Sequence, residues 1–455
     1  MNNQKGVFSD VNDAIYAATS SFKLYSKLSL RDKEEVIREI RRKLVDYIDL
    51  LAEMSLKETC MGNLEDKKLK IKLAIEETPG TEILMSEIRH GDGGFTLFEY
   101  TPYGIACAIQ PSTNPCETMI NNTIALLAAG NTVINCPHPR AMNVSKFLTN
   151  IINTIISDLT GIENVVVTLD ECKLAYIKEI MNHPDVDLVV STGGSDNARS
   201  AVSCGKKVIA AGPANPTFIV DETADIKRAA DCITRGASFD NNIMCITEKN
   251  IIVVDEVAHK LEEELKKNGV FYVKDIATML KLSKLLLTED MKPNKLYGGK
   301  DADVILKDAG IKTDRSYKLI AVETVKIHPF VTEELLMPLV SIVRAKDFDE
   351  ALEMASDVEQ GCRHTSGIHS NRMDRLRLAE RVMKTSIFIK NGCSLDGIGI
   401  CGVRIVWMTT VLPHFHSLKG AAFCYPLSWV ITTIAYFIYY LFFSQLSKRK
   451  ELRSI

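Results

Sequence analysis

Between residues 104 and 211 short apolar runs alternate with stretches whose apolar residues recur every three or four positions. The runs at 104–110, 132–135, 165–169, 188–191 and 208–211 predict strands. The stretches at 116–129, 141–157, 172–182 and 197–204 predict helices. Strands this apolar, separated by helices, imply a parallel sheet covered on both faces, the doubly wound α/β arrangement. The alternation resumes after Gly212-Pro213-Ala214-Asn215-Pro216, with strands at 217–220, 250–254, 319–325, 339–344, 365–370 and 386–390. Helices are expected near 224–234, 257–267, 275–287, 348–358 and 372–383, and 288–316 reads as polar and irregular. Ahead of the sheet, 14–27 reads as a helix that Asp10 or Asp13 can cap. The stretch 30–58 reads as one further helix, with Val36, Ile37, Ile40, Leu44, Ile48 and Leu51 on one face. Glu58-Thr59-Cys60-Met61-Gly62 then closes it at a helix–turn–helix corner. Gly91-Asp92-Gly93-Gly94 between extended runs predicts a hairpin over about 86–101, whose second arm could pair with another subunit.

One segment breaks the pattern. Residues 403–455 hold 11 of the 31 aromatics and both tryptophans, with six Lys or Arg against the single acid Glu451. From Gly420 to Ser447 no residue is charged, and the apolar run 429–446 is followed by Lys448-Arg449-Lys450. A membrane span needs about 20 apolar residues, so the run is marginal; its basic flank would stay cytoplasmic. The competing reading, translation in a lost frame, is favoured by the abruptness of the change. Elsewhere the composition, 46% hydrophobic and 25% charged, is that of a globular chain, and the net charge of −3 attracts no nucleic acid. The 12 cysteines form no CxxC pair and no zinc-spaced cluster with histidine. Together with the lack of a signal peptide, that predicts a reducing, cytoplasmic compartment and no metal site.

Four segments carry candidate chemistry. Ser238-Phe239-Asp240-Asn241-Asn242 leads through a loop to Cys245, ahead of the 250–254 strand, which is where a nucleophile is commonly held. Asn114 follows the 104–110 strand; on spacing alone it is a helix cap. Thr192-Gly193-Gly194 follows the 188–191 strand, where glycines admit a phosphate to backbone N–H groups, although a plain tight turn fits equally. Glu333-Glu334 precedes Leu335-Leu336-Met337-Pro338 and would ordinarily be a solvated corner.

In this order and spacing the segments resemble the aldehyde dehydrogenase superfamily. Glu58-Thr59-Cys60-Met61-Gly62, Pro111-Ser112-Thr113-Asn114-Pro115 and His328-Pro329-Phe330 resemble its CoA-acylating branch, the ethanolamine- and propanediol-utilisation enzymes of bacterial microcompartments. The resemblance covers about residues 6–402. It implies a nicotinamide-binding domain over 1–215 that includes the hairpin for oligomer contacts, a catalytic domain over 216–402, and a non-family tail. It also implies that Cys245 is the nucleophile and Asn114 the oxyanion donor. Thr192, Gly193 and Gly194 would lie by the cofactor pyrophosphate, and Glu334 would bond the nicotinamide ribose.

The activity implied by the resemblance is that of a homo-oligomer oxidising a short-chain aldehyde with NAD and passing the acyl group from cysteine to CoA. Hydrolytic members carry a glutamate in the segment matching 210–216; this chain has no acid there, and a thiol needs less help than water. Carboxylate formation, or an inactive or membrane-tethered remnant, are the alternatives. Cys136-Pro137-His138 stands where many members place a lysine, so NAD and NADP both remain open. Only five residues precede Gly6, which argues against the targeting helix that microcompartment members often carry there. No residue reads the length of the aldehyde.

Overall fold

Two parallel sheets organise the chain. The computed structural model describes residues 5–396. The features below belong to a unit that ends at Leu395; a second unit begins at Asp396, and the expectations for 403–455 and 429–446 lie outside the described residues. Among the described residues no helix is long and apolar enough to cross a membrane.

The strands of the first half are β1 (Val7–Phe8), β2 (Glu87–Gly91), β3 (Gly94–Phe98), β4 (Ile105–Ile109), β5 (Thr132–Cys136), β6 (Val166–Leu169), β7 (Leu188–Thr192) and β8 (Lys207–Ala211). Six of them form a sheet of order β1-β6-β5-β4-β7-β8, with every pair parallel. Every residue of β4 and of β5 is buried, as expected of central strands in a parallel sheet covered on both faces. Ile105, Cys107 and Ile109 pack on Val11, Ala14 and Ile15 of helix Val11–Tyr25, while Ala106 and Ala108 face the opposite way toward Leu126 of helix Pro115–Ala128. The order reverses between β4 and β7, whose carboxyl ends lie side by side with Ile109 opposite Ser191. In such sheets that reversal opens the crevice in which ligands bind.

The second sheet holds β9 (Thr217–Val220), β10 (Asn250–Val254), β11 (Val270–Val273), β12 (Leu319–Glu323), β13 (Leu339–Ala345), β14 (Thr365–His369) and β15 (Ile387–Lys390). It is parallel throughout, in the order β11-β12-β13-β10-β9-β14-β15. Helices Ile226–Ser238, Asp255–Lys267 and Phe348–Glu359 bury Ala230, Leu261 and Ala355 against it. Strands β2 and β3 form the expected antiparallel hairpin, exposed along both arms.

Several elements differ from expectation. The helix foreseen over 30–58 is two, Leu30–Leu44 and Ile48–Thr59, separated by a 3-10 turn at Val45–Tyr47. The apolar positions keep step across that break, so periodicity does not reveal it. The supposedly irregular 288–316 contains helix Ala302–Asp308, and β1 and β11 were not foreseen. Each is short, and short runs carry little periodic signal.

Candidate active site

Helix Ile226–Ser238 ends in a turn where Asp240, Asn241 and Asn242 all adopt left-handed conformations, with φ of 43°, 54° and 60°. For residues other than glycine each such conformation costs roughly 1–2 kcal/mol, least for Asn and Asp. Side-chain bonds hold the turn. Asn242 Oδ1 accepts from Thr247 Oγ1 at 2.6 Å and Lys249 Nζ at 2.7 Å. Asn241 Nδ2 donates to Gly299 O at 2.9 Å and to Asp301 Oδ1 at 2.8 Å. Asp240 is wholly buried; Oδ1 accepts the Asn63 N–H at 2.8 Å, and Oδ2 lies 2.5 Å from Lys70 Nζ and 3.4 Å from Lys67 Nζ. The sequence Asp-Asn-Asn thus suits the turn twice over, by tolerating its backbone and by supplying its bonds.

This turn delivers Cys245, half-buried, ahead of the amino end of β10. Burial raises its pKa, and the Glu334 carboxylate adds to the rise; Lys249, the residue's own N–H and Lys70 pull the other way. At this sulfur two cations thus oppose burial and a carboxylate. Lys249 is buried, its Nζ donating to Asn242 O and to Met244 O at 3.0 Å. Burial brings its pKa down to about 8 against the pull of Glu334, Cys245 and Glu248. Glu248, wholly buried, accepts from the Ser394 N–H at 2.9 Å and Ser394 Oγ at 2.7 Å, and burial pushes it up to about 7.

Glu334 is half-buried, not a solvated corner. It precedes β13, the neighbour of β10. Burial raises its pKa, while Lys249 and a hydrogen bond from the Ala214 N–H lower it. Ala214 itself precedes β9. Cys245, Glu334 and Ala214 thus all stand at the amino ends of adjacent parallel strands in the second sheet.

The other two motifs stand at carboxyl ends in the first sheet. Asn114 occupies the cap position of helix Pro115–Ala128 but makes no side-chain cap bond, which corrects the reading from spacing. Its Oδ1 instead accepts from Lys70 Nζ at 2.6 Å, and its Nδ2 donates to Thr113 Oγ1 at 3.2 Å. Thr192-Gly193-Gly194 leads from β7 into helix Ser195–Val202. No atom lies within 4 Å of where a Cβ would stand at Gly194, and Gly193 meets only Asn197 Nδ2 at 3.4 Å. Neither glycine has a positive φ, so the chain's own packing does not demand glycine there. Nearby, Gln110 Oε1, Asn135 Nδ2 and Ser191 Oγ are buried without a hydrogen-bond partner at the carboxyl ends of β4, β5 and β7. Open glycines and unspent polar atoms on one sheet edge fit a polar dinucleotide.

The structure therefore brings Cys245, Glu334 and Lys249 into one electrostatic neighbourhood, and Lys70 links it to Asn114. Among the described residues no hydrogen bond joins Thr192, Gly193 or Gly194 to that group. Sequence reasoning missed Lys70, Lys249 and Asp240. One signal was present. On helix Leu64–Glu77 the buried positions Ile71 and Ile75 share a face with Lys67, and Lys70 is buried beside them. Charge on the apolar face of a helix marks a paired, purposeful group. Glu58 was also given no role; its carboxylate takes the N–H groups of Asn143 and Val144 at 2.8 and 3.0 Å.

Known proteins resemble the chain over most of its length. The sequence pattern of the "Aldehyde dehydrogenase family" matches residues 2–270. The propanal dehydrogenase (CoA-propanoylating) of Salmonella typhimurium strain LT2 is 42% identical over 410 residues, 90% of this chain and 88% of its own. An acetaldehyde dehydrogenase (acetylating) of Escherichia coli K12 is 37% identical over 92% of this chain and 90% of its own. Among solved structures, a Rhodopseudomonas palustris propionaldehyde dehydrogenase with bound CoA and an acylated cysteine superposes with a TM-score of 0.85. It is 41% identical, over 87% of this chain and 90% of that one. A propionaldehyde dehydrogenase from the fucose-utilisation microcompartment of Clostridium phytofermentans gives 0.84 at 40% identity, over 87% of this chain and 91% of that one.

Proposed function

This chain belongs to the aldehyde dehydrogenase family, and we propose that it converts a short-chain aldehyde and CoA reversibly to the acyl-CoA through a thioester on Cys245. The observation that carries the reading is the convergence on one sulfur. Cys245 feels Glu334, Lys249 and Lys70, three segments far apart in sequence, and Lys70 is bonded to Asn114.

Lys249 and Lys70 favour the thiolate, which adds to the aldehyde carbon. Asn114 Nδ2 and the Cys245 N–H then receive the developing oxyanion, the contribution that is commonly the largest in acyl chemistry. A nicotinamide dinucleotide, NAD or NADP, supplies the hydride acceptor. Thr192, Gly193 and Gly194 would hold its pyrophosphate and Glu334 its nicotinamide ribose. Loss of hydride leaves a thioester on Cys245, and attack by the CoA thiolate releases acyl-CoA and the cysteine.

Hydrolysis would need a base to activate water. The 210–216 segment offers none: its only polar side chain, Asn215, donates to Val331 O at 2.9 Å and Val358 O at 2.7 Å and accepts from Asn250 Nδ2 at 2.9 Å. In the same reading the six-stranded sheet carries the cofactor and the seven-stranded sheet the nucleophile, with the division near residue 215. The chain works in the cytoplasm as a homo-oligomer joined through the β2–β3 hairpin. Its likeness to an enzyme from a microcompartment supports association with such a shell.

Product analysis tests the proposal. With aldehyde and NAD, acyl-CoA is expected in the presence of CoA, with little carboxylate in its absence; carboxylate at equal rate without CoA would overturn it.

A further inference from the structure

We propose that Lys70 is a positioning residue for this chemistry: it fixes the Asn114 amide with Nδ2 free for the substrate oxygen and places a positive charge beside the Cys245 sulfur. The inference rests on the functional reading above.

The geometry starts from the lysine's confinement. Lys70 is 5% exposed, and its Nζ meets Asp240 Oδ2 at 2.5 Å, Asn114 Oδ1 at 2.6 Å and Glu117 Oε1 at 3.2 Å. Three oxygens, two from the start of helix Pro115–Ala128 and one from the Asp240 turn, leave the ammonium little freedom. Asp240 is itself pinned by the Asn63 N–H and by Lys67, so Lys70 cannot swing away with it. Burial opposes the charge on Lys70, but Glu117 and Asp240 outweigh it, and the pKa rises. The group is a permanent cation.

A side-chain amide presents an acceptor on one side and two donors on the other. A cation at 2.6 Å from Oδ1 decides which is which, because the flipped amide would set its NH2 against an ammonium. One Nδ2 hydrogen goes to Thr113 Oγ1 at 3.2 Å. The other remains for an oxyanion. Donation from Lys70 also polarises the amide and strengthens the hydrogen that remains.

The same cation also acts on Cys245, whose pKa is raised by burial and then by Glu334, and lowered by Lys249 and more weakly by Lys70. Asp240 lies in the turn that delivers Cys245, while Asn114 closes β4 of the other sheet. One ammonium therefore spans the two halves of the site and sets the register between nucleophile and oxyanion donor. Lys67 bonds only Asp240 among these groups, and burial and Lys70 lower its pKa; it supports the cluster from behind.

The test is a double-mutant cycle on the full-length enzyme with two readouts, kcat for aldehyde oxidation and the pH profile of Cys245 alkylation by iodoacetamide. Lys70→Met is expected to lower kcat about 100-fold, the usual scale for a lost oxyanion donor, with KM for NAD little changed. It should also move the alkylation midpoint to higher pH. In an Asn114→Ala background the further loss of kcat should be less than tenfold, while the alkylation shift persists in full. Full multiplication of the two kcat losses, or an unshifted alkylation midpoint, overturns the proposal. Should Lys70→Met fail to fold, Lys70→Arg decides: it keeps the charge, so the midpoint should stay near that of wild type and kcat should fall less than tenfold. A midpoint raised despite the retained charge refutes the assignment. Cys245→Ser separates this from failure of the functional reading. If that variant keeps wild-type activity, the thioester mechanism itself is wrong; if it is dead while the Lys70 variants are normal, only the role of Lys70 falls.

Discussion

Gly62 is built against Asp240: a Cβ at Gly62, whose φ is +79°, would stand 1.9 Å from Asp240 Oδ1. The same turn is locked from the other side, where Gly62 N–H donates to Gly299 O at 2.8 Å and Gly299 N–H to Leu336 O at 2.9 Å. The corner after helix Ile48–Thr59 is thus part of the floor under the turn that leads to Cys245, and through Gly299 it connects to Leu336, two residues past Glu334. Gly62→Ala meets both a left-handed backbone and a carboxylate that several groups hold in place. It should cost about 1–3 kcal/mol of stability and lower kcat more than it changes KM, as denaturant titration and steady-state kinetics would read.

The charges around Cys245 predict opposite shifts from two neighbours. The wild-type thiol should be alkylated with a midpoint above the ordinary cysteine value of about 8.5, since burial and Glu334 raise it. Glu334→Gln removes the repelling carboxylate and should lower the midpoint. Lys249→Met removes a stabilising cation and should raise it. Alkylation rates followed across pH in the free enzyme check both directions.

Glu248 predicts a pH window for stability. Its pKa rises from 4.5 to about 7 in the folded chain, so the folded state binds the proton more tightly. Its contribution to stability therefore falls as pH climbs through that interval and stays reduced above it, by the order of 3 kcal/mol. Lys249 works in a higher window. Its pKa falls from 10.5 to about 8, so the penalty for burying its charge is relieved as pH rises through that interval. Glu248→Gln lacks the titration, and its urea midpoint should gain on wild type between pH 4.5 and 7.

The hairpin offers a test of assembly. Phe95 is 74% exposed and Tyr100 69%, and Ile88 and Leu97 are exposed as well. Bare aromatic surface on a two-stranded ribbon calls for a partner. Phe95→Asp combined with Leu97→Asp should reduce the sedimentation coefficient of the purified protein while leaving its secondary structure intact.

Much of this was legible in the chain itself. β9 and β10 fall where their apolar runs predict them, because strands buried on both faces have few polar residues to blur their ends. The four chemical segments were visible as motifs, and the parallel topology carries them to strand ends. What stayed hidden depends on contacts across the fold. Nothing local shows that Asp240, Asn241 and Asn242 all turn left-handed, since Asn and Asp suit many turns. The inward course of Lys70 was signalled only by Lys67 falling in step with Ile71 and Ile75, and lysine on a charged helix ordinarily faces water. On spacing alone Asn114 reads as a cap because its position is that of a cap; its side chain instead meets the neighbouring ammonium.

The central claim is a covalent acyl group on one named sulfur. The enzyme should be mixed with propanal and NAD in the absence of CoA, quenched in acid, digested and weighed by mass spectrometry. A propanoyl group on the peptide bearing Cys245, discharged when CoA is added before the quench, is the predicted result. NADH formation with no acyl group on Cys245, or with the group on a different residue, would contradict it.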